Sequence, residues 1–376
     1  MCIPHSPPTS PVGCSREAPG PLVCPGQLRD VSIATFDLFP FTSDSDGDIV
    51  LPFHNRALSE MYSRRAAITL DEFRVRYDTP QVSNRFFGIN DEQGALAALG
   101  LALQWVDGTN AQLQFVQVLV RPDKRRQGLA RELLTRGLEI AREGGRTIIT
   151  ADTVDTVPAG DAFAHSVGAD LGMREHINVV AVSDIDTSML ERWRNEGPDR
   201  ARAYELLLWT DGYPRECDAQ IARLFVMAEE DMPFEDWDFE PNAETAESVR
   251  ERLERTAGTL NLVTSVARHR GSGEVVGFSE LVTQTGDPTL YTTLTVVDRD
   301  HRGHALGKWV KADAILRALE QYPEKTHIQT ENAFSNAPML GINDAIGFKP
   351  EHTLLVYQAS TDAVRAYLER DRSESR

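Results

Sequence analysis

At 376 residues the chain is too long for one small domain and long enough for two of roughly 150 residues each. Hydrophobic residues at 41% and charged residues at 26% exclude a fibrous or wholly disordered chain. The longest apolar run, around Gly94 to Leu103, is about half of what a membrane-spanning helix needs. With 57 acidic against 39 basic side chains the net charge is -18, so the surface should repel nucleic acid and anionic lipid and favour a cationic small molecule.

Residues 1–30 are rich in proline and poor in large apolar side chains, and are expected to be disordered, either a tail or an upstream misreading of the translation start. Cys2, Cys14 and Cys24 lie there without a C-x-x-C pair, and Cys217 alone lies in the body, a usage that suits a reducing cytoplasm. From Val31 the hydrophobic period predicts a strand (31–38), two helices (51–64 and 70–77), three strands (85–89, 95–105 and 112–120) and a helix over 129–143. A strand at 147–151, a short helix at 161–167 and a strand at 176–182 close the first half.

The second half repeats that order. It runs through a strand at 204–209, helices at 217–229 and 245–256, and strands at 261–269, 274–283 and 290–297. A helix at 306–320 and the segments 326–330, 339–345 and 353–357 follow. A repeat of about 175 residues means domain duplication. The expected organisation is therefore a first domain over 31–186, a linker helix over 187–203, a second domain over 204–360 and a charged tail over 361–376.

Each half carries one chemically informative turn. After the strand ending at Val120 comes Arg121-Pro-Asp-Lys-Arg-Arg-Gln-Gly-Leu-Ala130, and then a helix. A strand that enters a helix through a basic, glycine-containing turn aims backbone N–H groups and the helix dipole at one point, which suits a phosphate. The second copy is Asp298-Arg-Asp-His-Arg-Gly-His-Ala-Leu-Gly307. A Rossmann turn would need further glycines and a P-loop would need G-K-[ST], and neither is present. His301 and His304 have an i, i+3 spacing with no third ligand in view, so no metal is expected.

Strand, R-x-x-G/A-x-G/A and helix, found twice, resemble the acetyl-CoA pyrophosphate motif of the GCN5-related N-acetyltransferases (GNAT). Arg125, Gly128 and Ala130 match it fully; Arg302 and Gly307 match at the ends, with Ala305 in place of the central glycine. The segment from Asn332 through Asn336 and Asn343 to Gly347-Phe348 resembles the family's downstream motif, of which 160–169 keeps only the spacing and the closing glycine. The resemblance implies a mixed α/β fold, two tandem domains each with a twisted mixed sheet flanked by helices, and direct transfer from acetyl-CoA to an amine. It also implies cofactor contacts from Val118, Val120, Arg125, Arg126, Gln127, Gly128, Leu129 and Ala130 in the first half. In the second half it implies Val297, Arg302, Gly303, His304, Ala305, Leu306, Gly307, Asn332 and Asn336, with Asn336 beside the pantetheine arm.

A neutral amine needs a base, and the leaving thiolate needs a proton. Members of this family often use a tyrosine for the second task at the place held here by Asn343 and Ala164, so either solvent protonates the thiolate or a different tyrosine such as Tyr291 does. Candidate bases are Glu280 and Glu331 in the second half, and Asp152 and His165 in the first. Between Arg223 and Arg250 lie nine carboxylates, from Glu229 to Glu247, with Phe234, Trp237 and Phe239 interleaved, a composition that suits recruitment of a cationic amine. This loop and the fuller downstream motif put catalysis in the second half, with two cofactor sites in all. The expected protein is a cytoplasmic monomer or homodimer acting on a small-molecule amine, with no membrane or nucleic-acid partner. One rival is a tandem enzyme with a degenerate half, as in mycothiol synthase, and another is a non-catalytic acyl-CoA sensor.

Overall fold

The computed structural model describes residues 33–36, 45–241, 244–333 and 336–374, so the expected disordered prefix lies outside the described residues. Hydrophobic alternation and turn residues build the first half in the expected order. It begins with β1 (Ile33–Phe36), α1 (Ser45–Met61), α2 (Leu70–Tyr77), β2 (Val82–Asn90), β3 (Leu96–Trp105) and β4 (Leu113–Val120). It continues through α3 (Leu129–Glu143), β5 (Ile148–Val154), α4 (Pro158–Val167), β6 (Asp170–Ala181) and α5 (Thr187–Arg200). Thr69 and Glu72 form a capping box that starts α2, and Gly168, at φ 81°, ends α4 in the left-handed region that glycine tolerates.

The second half opens with β7 (Tyr204–Thr210), α6 (Asp218–Glu230), α7 (Ala246–Thr256), β8 (Asn261–His269), β9 (Val275–Thr283) and β10 (Thr289–Val297). It closes with α8 (Leu306–Gln321), β11 (His327–Ala333), α9 (Ala337–Ile346), β12 (Lys349–Ser360) and α10 (Thr361–Glu374). The twelve strands form one mixed sheet in the order β1-β2-β3-β4-β5-β12-β6-β11-β10-β9-β8-β7.

That order changes the meaning of the expected domain boundaries. β12, the last strand of the second half, lies between β5 and β6, and β6 of the first half lies against β11 of the second. The halves exchange their terminal strands, so the cut at residue 186 divides the sequence and not the space. The terminal helices follow their strands across. α5 packs on α8, with Ile185 and Leu190 in the second-half core, while Val364 and Leu368 of α10 join Leu134, Leu138 and Val167 in the first-half core. Residues 361–374, expected as a charged tail, are therefore a docked helix. Val364 and Leu368 are buried, whereas Asp362, Arg365, Glu369 and Arg370 are exposed.

Loops after α1 and α6 strap the halves together. Arg64 pairs with Glu351 and with His327, and Trp237 donates from its ring N–H to Thr150 at 3.1 Å. Asn110 exchanges two hydrogen bonds with the Glu240 backbone, and Phe239 meets Trp105 edge-on.

Candidate active site

β4 and β5 pair in parallel only from Leu113/Ile148 to Phe115/Thr150 and then separate. Beyond Phe115 the backbone edge of β4 faces an open seam. A cavity of about 480 Å³ occupies it, lined by Val116 to Val120, the basic turn, Ala151 to Thr153, and Gly160 to Ala164. Tyr357, Ala359, Val364 and Tyr367 of the exchanged β12 and α10 also line it, so the second half supplies one wall.

At the outer end the turn forms a nest. Arg126 and Gly128 are both left-handed, at φ 63° and 84°, and the position of a Cβ on Gly128 is open to solvent. Successive residues of this kind point their N–H groups into one concavity, at the N-terminus of the 15-residue α3. Arg125 does not reach into it. Its guanidinium holds the Val120 carbonyl at 3.2 Å and both Glu60 carboxylate oxygens at 2.6 and 2.7 Å, and so braces the turn. Lys124 and Arg126 have no hydrogen-bond or ion-pair partner among the described residues and are the charges free to meet an anion. Gln127, Leu129 and Ala130 continue the turn into α3; Leu129 and Ala130 line the cavity.

At the inner end Asp152 lines the cavity beside Gln117, whose amide donates to it at 3.5 Å. Burial, partly offset by that hydrogen bond and by the Arg76 charge, raises its carboxyl above the ordinary aspartate range. On α4, Asp161 accepts from the Tyr357 hydroxyl, and His165 meets the Tyr357 ring edge-on at 5.6 Å. The tyrosine from the other half thus stands one helical turn from Ala164, where α4 offers no hydroxyl of its own.

The second half repeats the backbone with different chemistry. β10 and β11 pair from Thr289/His327 to Thr292/Thr330 and then part. Arg302 again holds the preceding strand, through the Val297 carbonyl at 3.0 Å, and pairs with Asp231, as does Arg299 at 2.6 Å. Gly303 and Ala305 take the two left-handed positions, at φ 87° and 60°. The places of Lys124 and Arg126 fall to His301, whose Nδ1 meets the Tyr204 hydroxyl at 2.9 Å, and to Gly303, which carries no charge. Thus the second turn keeps its shape and loses its free cations. His304 packs on Tyr204, Leu306 is buried, and Gly307 approaches Val297 and Ile342.

The seam changes too. Aligned on the turn and on the glycine that ends the short helix, Val116, Leu134, Ala164 and Ala169 correspond to Thr293, Lys311, Asn343 and Phe348. Asn343 donates to Asn332 at 2.6 Å, Asn336 caps α9 by accepting from the Met339 N–H at 3.4 Å, and Phe348 is buried. Asn332 and Asn336, expected to meet cofactor, thus hold their own segment together.

The expected catalytic residues are not brought together. Glu280 is buried and hydrogen-bonded to Tyr213, Thr264 and Thr293, which makes it a satisfied core carboxylate. The Tyr291 hydroxyl donates to Asp287 at 3.0 Å, and its ring lies against Arg65. Exposed Glu331 accepts from Gln329 at 3.2 Å and faces Tyr62 and Arg65 across the seam between the halves. The acidic loop is largely spent on structure: Trp237 stacks on Phe239 with centroids 4.4 Å apart, and Asp231 and Glu230 neutralise Arg299. Glu235 alone of its carboxylates is seen to act on Glu175, whose carboxyl is pushed up to about 7 by burial, then by Glu331 and Glu235. Tyr357, Tyr367 and Arg65 were missed by the sequence reading, because their partners lie on distant elements.

Residues 52–168 match the model of the acetyltransferase (GNAT) family. Among solved structures, a tandem GNAT protein from the clavulanic acid biosynthesis pathway is 23% identical, covers 88% of this chain and 99% of its own, and has a TM-score of 0.71. A GCN5-related N-acetyltransferase from Sphaerobacter thermophilus is 12% identical, with coverages of 89% and 97% and a TM-score of 0.59. No curated protein sequence matches the chain. The match to the GNAT family model thus lies within the first half, and the whole chain has the fold of the tandem GNAT protein.

Proposed function

We propose that the protein transfers the acetyl group of acetyl-CoA to a primary amine of a small molecule, and that the first-half cleft is where it does so. The observation that supports this reading is the coincidence, in one cavity, of a basic nest at the outer end, an open β4 edge along the side and a desolvated carboxylate at the inner end. Acetyl-CoA supplies an activated thioester. Lys124, Arg126 and the N–H groups around Gly128 suit its phosphates, and the β4 edge near Val118 suits its carbonyl. Asp152 takes the proton of the attacking ammonium, directly or through water. Tyr357, whose hydroxyl here donates to Asp161, would turn from that carboxylate to give its proton to the departing sulfur as the new N–C bond replaces the C–S bond. The second-half slot, filled by Phe348 and lined by polar groups, serves as support, so this reading replaces two cofactor sites with one and moves catalysis to the first half. Cysteine usage favours the cytoplasm as the setting.

Incubation with acetyl-CoA and a panel of amines should give stoichiometric thiol release and an acetylated amine. Asp152→Asn should lower kcat by about 100-fold or more while leaving acetyl-CoA affinity within a factor of about two. In the native protein kcat/KM should rise with pH through a midpoint above the ordinary aspartate value of about 3.9, and the variant should lose that limb. No acetylated product from any amine contradicts the proposal.

A further inference from the structure

Most arginines around the cleft are matched to carboxylates: Arg64 to Glu351, Arg121 to Asp91 and Asp123, Arg125 to Glu60. Two are not. Arg65, in the loop after α1, is half-buried, and its guanidinium carbon lies 5.8 Å from the Tyr62 ring centre and 5.9 Å from that of Tyr291. Arg76, in the last turn of α2, lies 5.9 Å from the Tyr77 ring centre. Among the described residues neither guanidinium has a hydrogen bond or an ion pair. Burial and then the Arg76 charge work against protonation of Arg65, so the two guanidiniums feel each other. Arg76 also acts on Asp152. In a chain of net charge -18, two guanidiniums that act on each other and make no ion pair among the described residues are unspent charge.

The rings complete the enclosure, one from each half. Tyr62 directly follows Met61, which lines the main cavity, and Tyr62, Arg65 and Tyr291 also line a small crevice between the halves. Glu331 is the carboxylate that bears on Arg65, and one of its two oxygens accepts from Gln329.

We propose that the amine acceptor is an amino carboxylate, its carboxylate held by Arg65 and Arg76 between the Tyr62 and Tyr291 rings and its amine directed to Asp152. The inference rests on the transfer reading above and adds the substrate class to it. A guanidinium presents a planar fork that fits a carboxylate through two hydrogen bonds, and its selectivity is strongest where water is partly excluded. The carboxylate would cancel the repulsion between the two guanidiniums, and the same pair would repel an acceptor that carries a cation at that end. Tyr291 then belongs to the acceptor wall, and the second half helps choose the substrate of the first.

The test uses the full chain, acetyl-CoA and matched amines with and without the carboxylate: glycine and methylamine, β-alanine and ethylamine, L-ornithine and putrescine. The carboxylate-bearing member of at least one pair should have a kcat/KM about tenfold or more above its partner. Arg76→Gln, at an exposed position that does not threaten folding, should raise KM for that member by about tenfold and leave the other within twofold. Arg65→Lys should raise it less than Arg65→Gln. Calorimetry of the variants with acetyl-CoA should give the native affinity, which separates loss of the acceptor contact from loss of the fold. Equal use of both members of every pair, or arginine variants that leave KM unchanged, overturns the inference while leaving acetyl transfer standing. No thiol release with any amine overturns the transfer reading on which it rests.

Discussion

Lys311 is fully buried, in the place where the first half has Leu134, and among the described residues its Nζ has no hydrogen-bond partner. The Phe348 ring centre lies 5.5 Å away. Burial lowers its pKa to about 7. Since the folded value lies below the unfolded one of about 10.4, the unfolded chain binds the proton more tightly, and stability on this account rises with pH between those values. The penalty is complete below about pH 7. Lys311→Met should therefore raise the melting temperature by several degrees at pH 6, with the gain shrinking toward pH 10. A melting temperature that falls at pH 6 would mean that the ammonium has a partner in solution. Asp152 is shifted by the same desolvation, but at the inner end of a cavity, where a raised carboxyl pKa would make a base strong enough to be useful.

Exchange of β12 and α10 makes the cleft a joint product of elements far apart in sequence. Val364 and Leu368 are buried to 1% and 6% exposure, and burial of such side chains stabilises by roughly 1.5–3 kcal/mol each. Ending the chain after Ser360 should lower the melting temperature and weaken acetyl-CoA binding by about tenfold or more, because Val364 and Tyr367 leave the cavity wall. Binding at native affinity by the shortened chain would show that α10 is dispensable. The elements themselves were legible from sequence. Periodicity located nearly every helix and strand, since each buries one face locally. The neighbour of β5 was not legible, because strand pairing is decided by non-local register, and β12 has the same alternation wherever it inserts. For the same reason the sequence exposed the turn at Arg125 to Ala130 but not the role of Arg125. That role depends on Glu60, which a motif does not contain. Glu280 looked like a base and proved to be a satisfied core carboxylate, a distinction that needs Tyr213, Thr264 and Thr293 in view.

As a whole the molecule is two copies of one backbone, which on the proposed function have divided their tasks. Both copies open a seam beside a nested turn, but the first keeps free cations and apolar walls, and the second has internal ion pairs, an asparagine pair and a buried aromatic plug. The second copy still contributes to the first, through a strand, a helix, Tyr357 and the Tyr291 side of the acceptor wall. Separation into halves at residue 186 should therefore yield neither a folded first half nor a cofactor site. The most direct test of this division is calorimetric titration of the full chain with acetyl-CoA, alongside Gly128→Glu and Gly303→Glu. The account expects one site per chain, abolished by Gly128→Glu, which sets a carboxylate in the phosphate nest, and retained within about twofold by Gly303→Glu. Two sites in the native chain, or a single site that survives Gly128→Glu and is lost with Gly303→Glu, would contradict it.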